Sequence, residues 1–353
     1  MKSEQNIRLG VIGCGFVAQI AHLPCFDAIE NISIEAICDP RPDILNKVAS
    51  KYSIGLTFNS HVELLEGVEL DAVVVVLPRY LTANVVRECI KRRVSVLSEK
   101  PLMLNHESGT ELLNLSDNKV NVQVGYMKRH DPGVRLFKNI CSEYLKKEEL
   151  IHVQVSSSMG DSYCAPFGVL NSEYDRRMVG SEEILPKNIS NSFAWAYEQF
   201  LNVYSHTLDL VEFIHGEHLA LTFADVSPNG TGQICARLGT NQFPVSFRML
   251  RGKQKEWRES VEYVFESGVI RLQLAPPFLR GIPSEVVIEE GIHTVESRTV
   301  RPDYGWAFLE QARSFCSFVV RDDKKNADII SAMRHAKLVE ELFSDYLIGI
   351  KYT

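Results

Sequence analysis

The chain has 353 residues, 45% hydrophobic and 24% charged, with a formal net charge of −7. That length suits two globular domains, and the negative balance argues against a broad nucleic-acid or polyanion surface. No apolar run reaches the roughly 18 residues of a membrane span, and the polar first residues do not resemble a secretory leader. The eight cysteines are scattered, with no C-x-x-C pair, so a cytoplasmic protein without disulfides, structural zinc or any other metal is expected.

The first apolar run, Ile7–Ile12, has strand length and leads into Gly13-Cys14-Gly15-Phe16-Val17-Ala18. A helical stretch ending near Ala28 follows, then a second strand that closes on Asp39. Strand, glycine turn, helix, strand and acid occur in the order of a dinucleotide-binding unit. Gly13 permits the tight turn and Gly15 lets the backbone approach a pyrophosphate. Phe16 and Val17 open the helix whose N-terminus faces the phosphates, and Ala18 lets it pack closely. Asp39 follows Ala18 by 21 residues, close to the spacing of an acid that binds a ribose 2′-hydroxyl. That carboxylate favours NAD(H); Arg41, two residues on, softens the preference and leaves NADP(H) possible, or is simply solvated.

Strand and helix alternate through the next stretch. A helix is expected over 42–52, short elements at 56–58 and 62–65, and a wholly apolar strand over 71–77 that ends at Leu77-Pro78. A helix over 81–91 leads to a buried strand at 94–97, which stops at Ser98-Glu99-Lys100-Pro101. Another helix over 107–117 precedes a strand at 120–125. This is the pattern of a doubly wound parallel sheet, the α/β Rossmann architecture, over residues 1–125. Ligands of such sheets sit beyond the carboxyl ends of strands, so Asp39, Pro78, Glu99, Lys100 and Tyr126 should line one crevice.

Residues 126–353 read as a C-terminal α+β domain for substrate binding and oligomerisation. A helix over 131–146 precedes an alternating strand at 150–156. Residues 159–195 break the pattern, as a substrate lid or subunit contact would. A helix over 200–216 carries His206. Strands at 219–226, 232–238, 243–250, 259–265, 268–274 and 285–289 suggest an open, largely antiparallel sheet whose exposed face needs covering. Two closing helices span 306–320 and 327–347.

With Gly13 to Ala18, Asp39 and Glu99-Lys100-Pro101 in place, the chain resembles the Gfo/Idh/MocA oxidoreductases, named for glucose–fructose oxidoreductase, inositol dehydrogenase and a rhizopine-catabolism protein. Gly125-Tyr126-Met127-Lys128-Arg129-His130-Asp131-Pro132 is similar to the segment by which many members enter their second domain. Asn202-Val203-Tyr204-Ser205-His206 is similar to the family's Asp-x-x-x-His motif, except at its first position. The resemblance implies hydride transfer between NAD(H) or NADP(H) and a sugar, cyclitol or related polyol, and a homodimer or homotetramer built on the open sheet.

Lys100, just past a buried strand, puts an ammonium where the nicotinamide should lie, able to bond the reacting oxygen. A solvated lysine paired with Glu99 is the plain alternative. His206 is the expected acid–base group, or else a satisfied core histidine. Asn202, four residues earlier on the same expected helix face, can bond a substrate hydroxyl but cannot stabilise a cation as aspartate would. Asp209 is the nearest acid that could stand in for it. Tyr126, Lys128 and Arg129 are candidate substrate contacts, or an interdomain ion-pair cluster. The departure at Asn202 keeps open a catalytically impaired dinucleotide- or sugar-binding regulator of the same fold.

Overall fold

The computed structural model describes residues 6–116, 120–160, 169–171, 185–186, 189–252, 257–321 and 327–350. The chain divides into two compact units. The first comprises Met1–Gly125, Pro166–Val179 and Phe308–Arg334, and the second Tyr126–Ala165, Gly180–Ala307 and His335–Thr353. The chain thus does not divide in a single cut after Gly125. Phe315 meets Phe26 edge-on at 6.3 Å, and Asn121 Nδ2 donates to the Phe318 carbonyl at 3.2 Å, which keeps the segment from residue 308 with the first unit.

In the first unit, β1 (Ile7–Ile12), β2 (Ile32–Cys38), β3 (Leu56–Phe58), β4 (Ala72–Val75), β5 (Ser95–Ser98) and β6 (Val122–Val124) form one sheet. Every pairing in it is parallel and the order is β3-β2-β1-β4-β5-β6, the doubly wound order that reverses beside β1. Its centre is dry. Val73, Val74 and Val75 are fully buried, each worth about 1.5–3 kcal/mol relative to exposure. A strand covered on both faces needs such an unalternating run. The strand expected over 71–77 is shorter than its apolar run, because Val76 and Leu77 turn away toward Pro78, which N-caps the helix Arg79–Lys91.

The helix after the glycine turn is less regular than its sequence suggests. Residues 18–22 form a π-turn, and the α-helix resumes at Leu23–Asp27 with Pro24 in its first turn. Proline has no N–H to give to the carbonyl one turn back, and a wider turn just before it absorbs the loss. The result brings two polar side chains, Gln19 and His22, onto the buried face.

The second unit is built on eight strands. These are β7 (Leu150–Gly160), β8 (Leu219–Val226), β9 (Gly232–Leu238), β10 (Phe243–Gly252), β11 (Trp257–Phe265), β12 (Gly268–Gln273), β13 (Glu285–Glu290) and β14 (Glu296–Val300). The order is β14-β13-β12-β11-β7-β10-β9-β8, and only β7 and β10 run parallel among the paired strands. The fold is therefore a Rossmann sheet with a second, largely antiparallel α+β unit. Along β7, β10 and β11 one face is buried, with Val155 opposite both Phe247 and Val261. Phe137 of the helix Pro132–Tyr144 packs edge-on to Tyr263 at 5.4 Å on that side.

The outward face is mostly polar, with Gln154, Ser156, Ser246, Arg248, Ser260 and Glu262, while Val264, Val269 and Val287 are half-buried among them. Cross-strand polar pairs such as His152 with Ser246 at 2.8 Å cover part of that face within the sheet itself. β14 has no counterpart among the expected strands, because Glu296-Ser297-Arg298-Thr299-Val300 carries no apolar alternation. Most of the irregular stretch over 159–195, read as a lid or subunit contact, lies outside the described residues. No helix of the described residues is long and apolar enough to cross a membrane.

Candidate functional site

The first unit gathers the expected nucleotide residues at the carboxyl ends of its strands. Gly13 has φ +101°, its N–H donates to the Cys38 carbonyl at 2.8 Å, and a Cβ there would overlap the Val76 carbonyl oxygen. Only glycine fits such a turn. Gly15 is different: a Cβ built there meets nothing within 4 Å, so open space lies in front of the turn where a pyrophosphate would approach. Ala18 is fully buried beneath, and half-buried Phe16 and Val17 open the helix above the turn. Half-buried Leu77 flanks Gly13, and Pro78 marks the end of β4. Burial pushes the Cys38 thiol up to about 12 and that of Cys14 well above its ordinary value, so both act as small apolar groups.

Asp39 lies at the end of β2, but its carboxylate is already engaged. Oδ2 accepts the Cys14 N–H at 2.9 Å and Oδ1 accepts the Arg41 N–H at 3.0 Å. Arg41 adds Nε to Oδ1 and Nη2 to Oδ2, both at 2.8 Å, and these bonds hold its own pKa above the usual value. The alternative of a solvated Arg41 is thereby set aside: the pair is a two-point ion pair over a buried acid.

Glu99 and Lys100 follow β5. His22 Nε2 donates to Glu99 Oε1 at 2.8 Å, and Oε2 accepts the Lys100 N–H at 3.2 Å. Burial works to raise the Glu99 pKa, yet the His22 bond, the charges of His22 and Lys100, and that N–H hold it below the ordinary carboxylate value. Gly125 packs on the same side chain, since a Cβ there would lie 3.2 Å from Glu99. The turn that presents Lys100 is thus set by a buried histidine on the π-turn of the first helix. Sequence reading missed this group. The available signal was the pair of polar residues, Gln19 and His22, one turn apart on an otherwise apolar helix.

In the second unit, His206 is nearly buried in the first turn of Ser205–His215, a helix that ends on Gly216 at φ +84° with its N–H on the Glu212 carbonyl at 2.8 Å. Asn202 falls in a π-turn, Phe200–Tyr204, that joins Ala194–Gln199 to this helix. The helix expected from residue 200 therefore starts earlier, and the wider turn means that Asn202 and His206 are not a regular i, i+4 pair. Asp209 does not stand in for the missing aspartate. Its carboxylate receives Arg129 through Nε at 2.9 and 3.1 Å and through Nη2.

Lys128 is buried, and its Nζ reaches Glu259 Oε1 at 2.6 Å and Oε2 at 2.5 Å, while Thr207 Oγ1 donates to Oε1 at 3.0 Å. Both basic residues expected to meet substrate are thus engaged by carboxylates of their own unit. Tyr126 is buried too, and its ring packs edge-on to those of His206 at 6.0 Å and His335 at 5.3 Å. His335 Nε2 lies 3.0 Å from Glu212 Oε2, and its Nδ1 lies 3.1 Å from the Tyr126 hydroxyl. His335 was not singled out in sequence, because one histidine on a long helix has no local pattern.

Residues 7–126 match GFO_IDH_MocA, described as "Oxidoreductase family, NAD-binding Rossmann fold". This stretch of the chain is similar to the NAD-binding domain of the Gfo/Idh/MocA oxidoreductases. Over 137 residues the chain is 25% identical to an uncharacterized oxidoreductase, YrbE, of Bacillus subtilis, covering 38% of this chain and 40% of that one. It is 28% identical over 176 residues to an inositol 2-dehydrogenase/D-chiro-inositol 3-dehydrogenase of Shouchella clausii, covering 47% and 50%. These matches span half or less of the two relatives' own length. In fold the chain is similar to KijD10, a 3-ketoreductase from Actinomadura kijaniata crystallised with NADP and TDP-benzene. The TM-score is 0.74 at 18% identity, over 96% of this chain and 97% of that one.

Proposed function

We propose that the protein is an NAD(P)-dependent oxidoreductase that moves a hydride between a nicotinamide and a hydroxyl or keto group of a sugar, sugar derivative or cyclitol. The observation that carries this reading is the pinned turn at Glu99-Lys100: a buried His22–Glu99 hydrogen bond holds a lysine at the carboxyl end of a strand in a domain that matches an NAD-binding family model. A bound nicotinamide would supply the hydride donor or acceptor. Lys100 would hold the reacting oxygen and offset its charge. His206 would carry the hydroxyl proton, with Asn202 bonding a neighbouring hydroxyl. Gly13, Gly15, Phe16, Val17 and Ala18 would receive the pyrophosphate, Asp39 with Arg41 the adenosine ribose, and Leu77 and Pro78 the nicotinamide side.

Tyr126, Lys128 and Arg129 support the site from within by ordering the second unit. Because Arg41 covers Asp39, acceptance of both NAD(H) and NADP(H) fits better than strict preference for NAD(H). The relatives' names support the substrate class: an inositol dehydrogenase and a sugar-nucleotide-type ketoreductase are among them. A homodimer or homotetramer belongs to the same reading.

The test is a panel of sugars, sugar phosphates, nucleotide sugars and inositols, assayed at 340 nm with NAD+ and NADP+. One substrate class should give turnover. Lys100→Ala and His206→Ala should each lower it about a hundredfold or more while cofactor affinity persists. Full activity in either variant would remove that residue from the reaction. Cofactor binding without turnover of any substrate would favour the regulatory reading that Asn202 suggests.

A further inference from the structure

Gln19 is almost wholly buried, and its amide makes three hydrogen bonds. Nε2 donates to the Cys14 carbonyl at 2.9 Å and to the Leu170 carbonyl at 3.1 Å, and Oε1 accepts the Leu170 N–H at 2.7 Å. An amide that served only to brace the helix start would need the Cys14 bond alone. The other two pair with both backbone groups of one residue 151 positions away. Cys14 lies between the two glycines of the turn. Since one nitrogen serves both carbonyls, the Leu170 oxygen is within about 6 Å of the Cys14 oxygen.

We propose that Gln19 is a positioning residue that fastens residues 169–171 beside the glycine turn, so that this segment walls the cofactor's phosphate end and slows cofactor release. The inference rests on the cofactor reading above. A buried side-chain amide suits this task, because leaving its donor and acceptor unpaired is unfavourable. Gln19 itself need touch neither cofactor nor substrate.

The test needs no substrate. NADH, and in parallel NADPH, is bound to the wild type, Gln19→Met, Leu170→Pro and the double variant, and release is followed by nicotinamide fluorescence in stopped flow. Gln19→Met keeps the side chain's length without its polar atoms; Leu170→Pro removes the N–H that Gln19 accepts and leaves the first helix untouched. Each single variant should release cofactor about tenfold faster. The double variant should be no faster than either, because the two changes cut one link. A merely structural Gln19 would lower the melting temperature without altering release. Unchanged release in the folded variants overturns the proposal, and so does additive acceleration in the double. Should Gln19→Met fail to fold, Leu170→Pro decides the matter alone. A wild type that binds neither dinucleotide overturns the cofactor reading itself.

Discussion

Arg41 closes on Asp39 like a fork, Nε to Oδ1 and Nη2 to Oδ2, both at 2.8 Å, over a carboxylate that is only 3% exposed. An acid that would repel a 2′-phosphate is thereby neutralised by a cation two residues along the same loop. Arg41→Ala should leave the carboxylate uncompensated and lower affinity for NADPH at least tenfold more than for NADH. Asp39→Ser should do the reverse by releasing the guanidinium. Fluorescence titration with the two reduced cofactors measures both, and parallel losses would mean that the pair does not set the preference.

The two glycines of the turn should separate folding from binding. Gly13→Ala places a methyl on the Val76 carbonyl at a φ of +101° and should destabilise the first unit by several kcal/mol. Gly15→Ala enters open space and should leave the melting temperature nearly unchanged while weakening dinucleotide binding. Equal loss of stability in both would contradict the difference in their surroundings.

Lys128 and Glu259 form a buried pair, 7% and 0% exposed in their side chains. Lys128→Met should cost about 3–5 kcal/mol, because it strands the carboxylate against Thr207. The double variant Lys128→Met/Glu259→Leu should recover most of that. Denaturant unfolding of the three proteins decides between this and a solvated pair, which would show less than about 1 kcal/mol in the single variant.

Glu99 has a pKa below its ordinary value, so its ionised form stabilises the fold. The sign follows from linkage: this contribution is complete above the unfolded glutamate pKa near 4.5 and fades as pH falls through the lower folded value. Glu99→Gln should therefore be less stable than the wild type at pH 7, with the gap narrowing below about pH 4.5. A gap independent of pH would show that packing against Gly125, rather than charge, makes Glu99 valuable.

Much of this molecule is legible along the chain because its signals are local. Hydrophobic period marks the strands and helices, Gly13 and Gly15 mark a turn that backbone sterics demand, and the acid after β2 follows at a fixed distance. The doubly wound sheet and the position of Lys100 at a strand end follow from those alone. What the sequence could not determine is which polar groups meet. His22 finds Glu99, Gln19 finds Leu170, Arg129 takes Asp209 and His335 joins Tyr126 to Glu212, over separations of 77 to 209 residues. Such pairs form only where folding has removed water from both partners, so no spacing rule announces them. Lys128 shows the consequence: in sequence a cation poised for a substrate, in the folded unit one half of a buried ion pair.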